Sequence, residues 1–230
     1  MLPGLDGTGE LFRPLLDVMP RDLRTRVVAY PTQRALSYAD LLGVIEAQLR
    51  DERDAVLVAE SFSGPLALWY AAAHADRVRA VILCASFVRP PLPRWLRRFC
   101  VPVLFRVPPT GMAIRRLMVG GDATEPLVRA VKEAIKQVSP GVMAGRLREI
   151  MGVDAVAALR DCRAPLLYLA ATNDALVGRR GVDGVRAVRP DVRVRYVEGP
   201  HLLLQREPVR AWAEIRQFLN RLPAGGSMVA

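Results

Sequence analysis

The sequence has few of the residues that metal and redox centres require. Its three cysteines, Cys84, Cys100 and Cys162, are odd in number and widely spaced in a chain of 230 residues. No CxxC or Cys/His spacing of a zinc or redox site accompanies them, so they read as buried thiols, and neither a metal nor a cofactor is expected. Lysine is almost absent: of 33 basic side chains only Lys132 and Lys136 are lysines, and the arginines run along the whole chain. The formal charge of +10 therefore reads as composition bias. A nucleic-acid face would need clustered basic residues interleaved with aromatics, which make up only 6% here. No stretch approaches the ~20 apolar residues of a membrane span, and no opening run has the basic, apolar and cleavage-site order of a signal peptide. A soluble cytoplasmic protein without nucleic-acid partner or membrane span is expected. Histidine is scarcest of all, with only His74 and His201, which leaves few candidates for a general base.

What is present is a hydrophobic content of 51%, enough for one domain with a substantial core and a small insertion. Glu10 to Met19 has the pattern of an amphipathic helix, and Arg26 to Tyr30 is a short apolar run ended by Pro31, as in a buried strand. Ser37 is placed to cap a helix reaching Leu49. Ala55 to Ala59 is a continuous apolar run of parallel-strand type, followed by a sharp turn and a helix with Pro65 in its first turn. Val78 to Ala85 gives another buried strand. From Arg89 to about Met151 helical patterns are broken repeatedly by proline and glycine, with no clear strand. Strand and helix then alternate again: Pro165 to Ala171, Gly181 to Val188, Val192 to Val197 and Pro208 to Leu219. The expected fold is α/β, a mostly parallel sheet with helices on both faces, with core at 1–88 and 152–222, a helical cap at 89–151 and a loose tail at 223–230.

The most specific motif is Ala59-Glu60-Ser61-Phe62-Ser63, a serine between a buried strand and a helix with small residues two positions away on each side. A nucleophile elbow needs such residues, because strand and helix approach too closely for larger side chains, and the helix N-terminus favours negative charge nearby. Ser63 is the competing nucleophile, but that alignment would shift it into the helix, so Ser61 is preferred. A nucleophilic serine needs a base and an orienting acid, in this fold in the chain order Ser, Asp or Glu, His. His201 follows a strand in Gly199-Pro200-His201 ahead of the last helix and is the candidate base, whereas His74 near a helix end reads as a capping or surface residue. Asp174, in Asn173-Asp174-Ala175-Leu176-Val177, follows the preceding strand and is the candidate acid; as an ordinary aspartate it would cap a turn. Asp183, Asp191 and Glu198 are placed less well.

Leu2-Pro3-Gly4-Leu5-Asp6-Gly7-Thr8-Gly9 occupies the position of an oxyanion loop. By position, the donors are the N–H groups of Leu5 and of Phe62, the residue after the nucleophile. As a phosphate-cradling loop it lacks the Lys-Ser/Thr end of a P-loop. Trp95, Phe99, Leu104, Phe105, Met112, Met118 and Met143 either line an apolar acyl pocket or pack the cap onto the sheet.

Together the elbow, the Leu-Pro-Gly-x-Asp-Gly-Thr-Gly loop, the Asn-Asp-Ala-Leu-Val segment and Gly-Pro-His resemble the α/β-hydrolase superfamily over nearly the whole chain. Within it, the similarity is to bacterial carboxylesterase-like serine hydrolases with a helical cap. The resemblance implies cofactor-free cleavage of a carboxylic ester, thioester or amide through an acyl-enzyme, here a small-molecule acyl ester or thioester. Acyl transfer by the same triad and a non-catalytic binding protein are the alternatives. Ala59 and Ser63 depart from the two glycines of G-x-S-x-G. In the family the oxyanion loop also follows a central strand, yet only Met1 and Leu2 precede Pro3. That strand is expected to be missing, either because a longer natural chain carries it or because of a gap between the strands at Val27 and Val56.

Overall fold

A computed structural model describes residues 1–99 and 101–222. Cys100 and the expected tail at 223–230 lie outside the described residues. The chain starts with a loop and a 3-10 turn, Glu10–Phe12, leading into α1 (Arg13–Val18). It continues through α2 (Tyr38–Gln48), β1 (Ala55–Glu60), α3 (Gly64–Ala73) and β2 (Val78–Cys84). The helical stretch comprises two 3-10 turns, Arg94–Phe99 and Pro102–Phe105, then α4 (Gly111–Ile114) running into a π-turn at Arg115–Val119. The helices α5 (Glu125–Lys136) and α6 (Pro140–Gly152) complete it, and α7 (Val156–Asp161) follows. The alternation then resumes with β3 (Leu166–Ala171), α8 (Gly178–Arg186), β4 (Arg193–Val197), α9 (Leu203–Arg206) and α10 (Pro208–Leu219).

The four strands form one parallel sheet in the order β1-β2-β3-β4. Alternate side chains of each strand serve opposite faces. Leu57, Ala59, Val81, Leu83 and Tyr168 face α2, α3, α7 and α8 in one core. Val58, Ile82, Cys84, Leu167 and Leu169 face α1, α9 and α10 in the other. Every residue of β3 is buried, whereas β4 is mostly half-exposed, as befits an interior and an edge strand. Ser37 closes a capping box with Asp40 at the start of α2, which is why the helix begins where the sequence places it.

Three expectations need correction. Arg26 to Tyr30 is extended but is not a strand. It bonds the chain start through Val28 N–H to Met1 O (2.9 Å) and Tyr30 N–H to Gly7 O (2.8 Å). Pro3, between those two acceptors, has no N–H with which to continue a ladder. The runs at Val27 and Val56 also neither pair with each other nor face an empty gap. Leu2 lies between them, donating to Val58 O (2.8 Å), accepting from Glu60 N–H (3.1 Å) and bridging Ala59 in parallel. Glu10 to Met19, read as one helix, is a 3-10 turn followed by α1.

Candidate active site

Ser61 stands directly after β1, with φ of 46°. Such a left-handed conformation is costly for a residue with a Cβ and persists only where its surroundings impose it. Three contacts do so. The Ser86 hydroxyl donates to the Ser61 carbonyl at 2.6 Å. Phe62 is fully buried, its ring stacked on Tyr38 at 4.7 Å between centroids, and its carbonyl accepts from Tyr38 Oη at 2.9 Å. A Cβ on Gly64 would overlap Ser86 Oγ, so glycine is what lets α3 pass this close to the end of β2.

Ser63 is buried and faces away from this arrangement: its hydroxyl donates to Pro3 O and accepts from Tyr30 Oη at 2.7 Å. It ties the elbow to the glycine-rich loop, and burial raises the Tyr30 phenol far above its ordinary range, leaving Tyr30 a proton donor.

The loops after β3 and β4 are laced together by Asn173 N–H to Gly199 O (2.9 Å), Thr172 N–H to Val197 O (3.1 Å) and Gly199 N–H to Thr172 Oγ1 (3.3 Å). This brings His201 Nδ1 to 2.9 Å from Asp174 Oδ1, and His201 Nε2 to 2.9 Å from Ser61 Oγ. Asp174 Oδ1 also accepts from Leu176 N–H (2.9 Å) and Val177 N–H (3.0 Å). Burial opposes charge on Asp174, but the His201 hydrogen bond and charge and the two backbone donors outweigh it and hold the carboxyl below its usual range. An ionised carboxylate only accepts, so Nδ1 carries the imidazole proton and Nε2 is left to accept from the serine hydroxyl. His201 is itself buried. Met118 O accepts from Leu202 N–H at 2.9 Å and so holds the following residue. The three residues singled out by motif and chain order thus meet in one hydrogen-bonded line.

The loop carrying Leu5 is fastened from the other side. Arg146, on α6 and 2% exposed, donates from Nη1 to Leu5 O (2.8 Å) and Asp6 O (2.7 Å) and from Nη2 to Pro31 O (3.0 Å). Asp6 Oδ1 accepts from Thr8 N–H at 3.0 Å. Leu5 and Phe105 both pack on the buried cluster of Val138, Val142 and Met143. Trp95, Phe99 and Met112 stand on the surface, 58%, 52% and 80% exposed, neither packed onto the sheet nor enclosed in a pocket. The Leu104 side chain lies outside what is described. Two surface grooves of about 490 and 600 Å³ lie elsewhere, one lined by Glu10, Leu127 and Gln205 among others and one by Tyr38, Trp69 and Glu149; neither includes Ser61, Asp174 or His201.

Sequence reasoning missed Arg146, Ser86 and the residue just before the serine, Glu60. Glu60 is buried beside Asp6 and accepts from Gln205 Nε2 at 3.3 Å. Burial, and then the Asp6 charge, push its carboxyl up to about 8. Glu60 Oε1 and Gln205 Oε1 are both buried without a protein partner; a proton on Glu60 supplies the donor that two such acceptors lack. The remaining candidates behave as expected. His74 ends α3 with Nε2 3.5 Å from Glu46 Oε1, Asp191 pairs with Arg189, and Glu198 pairs with Arg210. Cys84 and Cys162 are free and buried. Among the described residues there is no group of side chains able to hold a metal ion and no helix long and apolar enough to cross a membrane.

The fold recurs in many solved structures. A hydrolase from Oleispira antarctica has a TM-score of 0.81 at 14% identity, covering 95% of this chain and 89% of its own. A thermophilic esterase from Thermogutta terrifontis has a TM-score of 0.77 at 21% identity, covering 94% and 87%. The enol-lactonase from Burkholderia xenovorans LB400 has a TM-score of 0.76 at 16% identity, covering 95% and 89%. No curated protein sequence matches significantly. Residues 1–215 match the sequence profile of the alpha/beta hydrolase family; the chain belongs to that family and is a hydrolase of it.

Proposed function

We propose that the protein is a serine hydrolase that cleaves a carboxylic ester or thioester through an acyl-enzyme on Ser61. The observation that carries this reading is the pair of 2.9 Å contacts joining Ser61 Oγ, His201 and Asp174. His201 Nε2 takes the Ser61 proton as Oγ bonds to the acyl carbon, and the carbonyl electrons move onto oxygen. The N–H groups of Leu5 and Phe62 are assigned to that oxyanion. Collapse of the adduct breaks the bond to the alcohol or thiol, which leaves with the proton from Nε2. Water, deprotonated by the same nitrogen, then releases the acid and restores Ser61. Asp174 stays ionised throughout and holds the imidazole in the tautomer that presents Nε2 to the serine.

In this reading the helical stretch 89–151 is a cap over the site. Phe105 and Met143, on and in the buried cluster against which Leu5 packs, would bound an acyl group of short to medium length. The test is hydrolysis of p-nitrophenyl esters of graded acyl length, beside fluorophosphonate labelling. Turnover and labelling that both disappear in Ser61→Ala support it. Turnover that survives Ser61→Ala would refute it, and labelling without hydrolysis would favour transfer to an acceptor other than water.

A further inference from the structure

Half of the large apolar side chains exposed among the described residues fall within sixteen residues: Leu92, Trp95, Phe99, Val101, Val103 and Val107. They are not scattered over the surface. The 3-10 turns Arg94–Phe99 and Pro102–Phe105 both pack on α6, so one helix carries both turns. The Trp95 and Phe99 rings meet edge to face at 6.0 Å, with the Arg98 guanidinium 5.7 Å and 5.4 Å from their centroids. Single exposed apolar residues are ordinary, but a group this dense in one short segment marks a contact surface.

The charge along this part of the chain is of one sign. Between Arg89 and Gly121 the sequence has seven arginines and no aspartate or glutamate. A second copy seated face to face would set arginines against arginines, which disfavours it as the occupant. Duplex nucleic acid would answer the charge but give Val101, Val103 and Val107 nothing to bury against. An anionic membrane surface answers both: its headgroups attract guanidinium groups, its outer acyl region takes aliphatic side chains, and tryptophan favours the boundary between them. Arginine also extends its charge to the headgroups while its stem stays among apolar neighbours.

We propose that the stretch from Leu92 to Val107 docks the protein on an anionic lipid surface. The same α6 holds the loop of Leu5 and Asp6 through Arg146, so docking would present the Ser61 side of the molecule to lipophilic esters in the layer. The proposal stands on the surface alone and is tested without turnover.

The experiment is co-sedimentation of the full chain with vesicles of phosphatidylcholine, with and without phosphatidylglycerol, at about 0.1 M salt. Binding at least about tenfold tighter to the anionic vesicles is expected, with a loss of about tenfold or more in Trp95→Ala/Phe99→Ala and in Val103→Asp. Removing two charges elsewhere, in Arg216→Gln/Arg221→Gln on and just after α10, should change it by less than about threefold. All these side chains are exposed, and acyl-brominated lipid should quench tryptophan emission of the unmutated chain but not that of Trp95→Phe, in which only Trp69 and Trp212 remain, a readout independent of any folding defect. No binding to anionic vesicles would overturn the proposal. So would an equal loss in the Arg216/Arg221 pair, unchanged binding in the Trp95/Phe99 pair, or binding to duplex DNA but not to vesicles.

Discussion

The Ser86 hydroxyl donates to the Ser61 carbonyl at 2.6 Å, so the strained residue at the end of β1 is held by a side chain from the end of β2. Ser86 in turn gives its own carbonyl to Tyr168 Oη at 2.5 Å, and the support therefore runs across three strands. Ser86→Ala should lower kcat about fivefold with little change in KM, the effect of losing one hydrogen bond of roughly 1 kcal/mol that fixes the nucleophile. Gly64→Ala should be worse in both kcat and thermal stability, because its Cβ meets Ser86 Oγ. Steady-state kinetics on a p-nitrophenyl ester, with thermal unfolding alongside, measure both.

Asp174 accepts three hydrogen bonds on one oxygen, and its role in the proposed mechanism is separable from its role in the loop. Asp174→Asn can still accept from Leu176 and Val177 but loses the negative charge that stabilises the imidazolium and fixes the Nδ1–H tautomer of His201. A loss of about ten-thousand-fold in kcat is expected, with substrate affinity far less affected. A loss confined to KM would show that Asp174 only shapes the loop. Because its folded carboxyl is held below its usual range, Asp174 contributes stability that is present above the ordinary aspartate range and is lost as pH falls through the lowered value.

The triad positions are legible in the sequence because each lies at the end of an apolar run, where strand length, small residues and chain order constrain the choice. The supporting shell is not. Arg146 meets Leu5 from 141 positions away and Gln205 meets Glu60 from 145, and nothing local to an arginine in a helix signals that it will be buried. The apolar run at Arg26 to Tyr30 reads as a strand by pattern, but a strand needs a partner with N–H groups in register, and Pro3 interrupts that partner. Trp95, Phe99 and Met112 illustrate the converse: apolar type predicts burial only where a neighbouring element covers the residue, and here none does.

Glu60 makes stability fall with rising pH. Its folded carboxyl is pushed up to about 8 from an ordinary value of 4.5. Between those values the folded chain holds a proton that the unfolded chain has released. The contribution is therefore fully present below pH 4.5, declines as pH rises towards 8 and is exhausted above it. Glu60→Gln cannot ionise and should flatten this part of the profile, unfolding at higher urea concentration than the unmutated chain at pH 9 and at a similar one at pH 5. Parallel profiles for the two proteins would show that Glu60 does not titrate in this window.

Arg146 spans three carbonyls, those of Leu5, Asp6 and Pro31, and its planar fork is what lets one buried side chain reach two separate segments. Burial, partly offset by Asp6 and Tyr30, lowers its basicity, but the group stays cationic. Arg146→Met would fill similar space yet leave three carbonyls without their donor, at a cost of about 3 kcal/mol in urea unfolding. Arg146→Lys keeps the charge but not the fork, and a single ammonium cannot reproduce its in-plane geometry. If the Leu5 amide stabilises the oxyanion, the lysine variant should fold and still lose kcat by about ten- to a hundred-fold, because the loop is free to turn that amide aside. Recovery of stability together with full kcat in Arg146→Lys would show that the arginine serves only the fold, and that the position of Leu5 is set by its packing on Val138, Val142 and Met143.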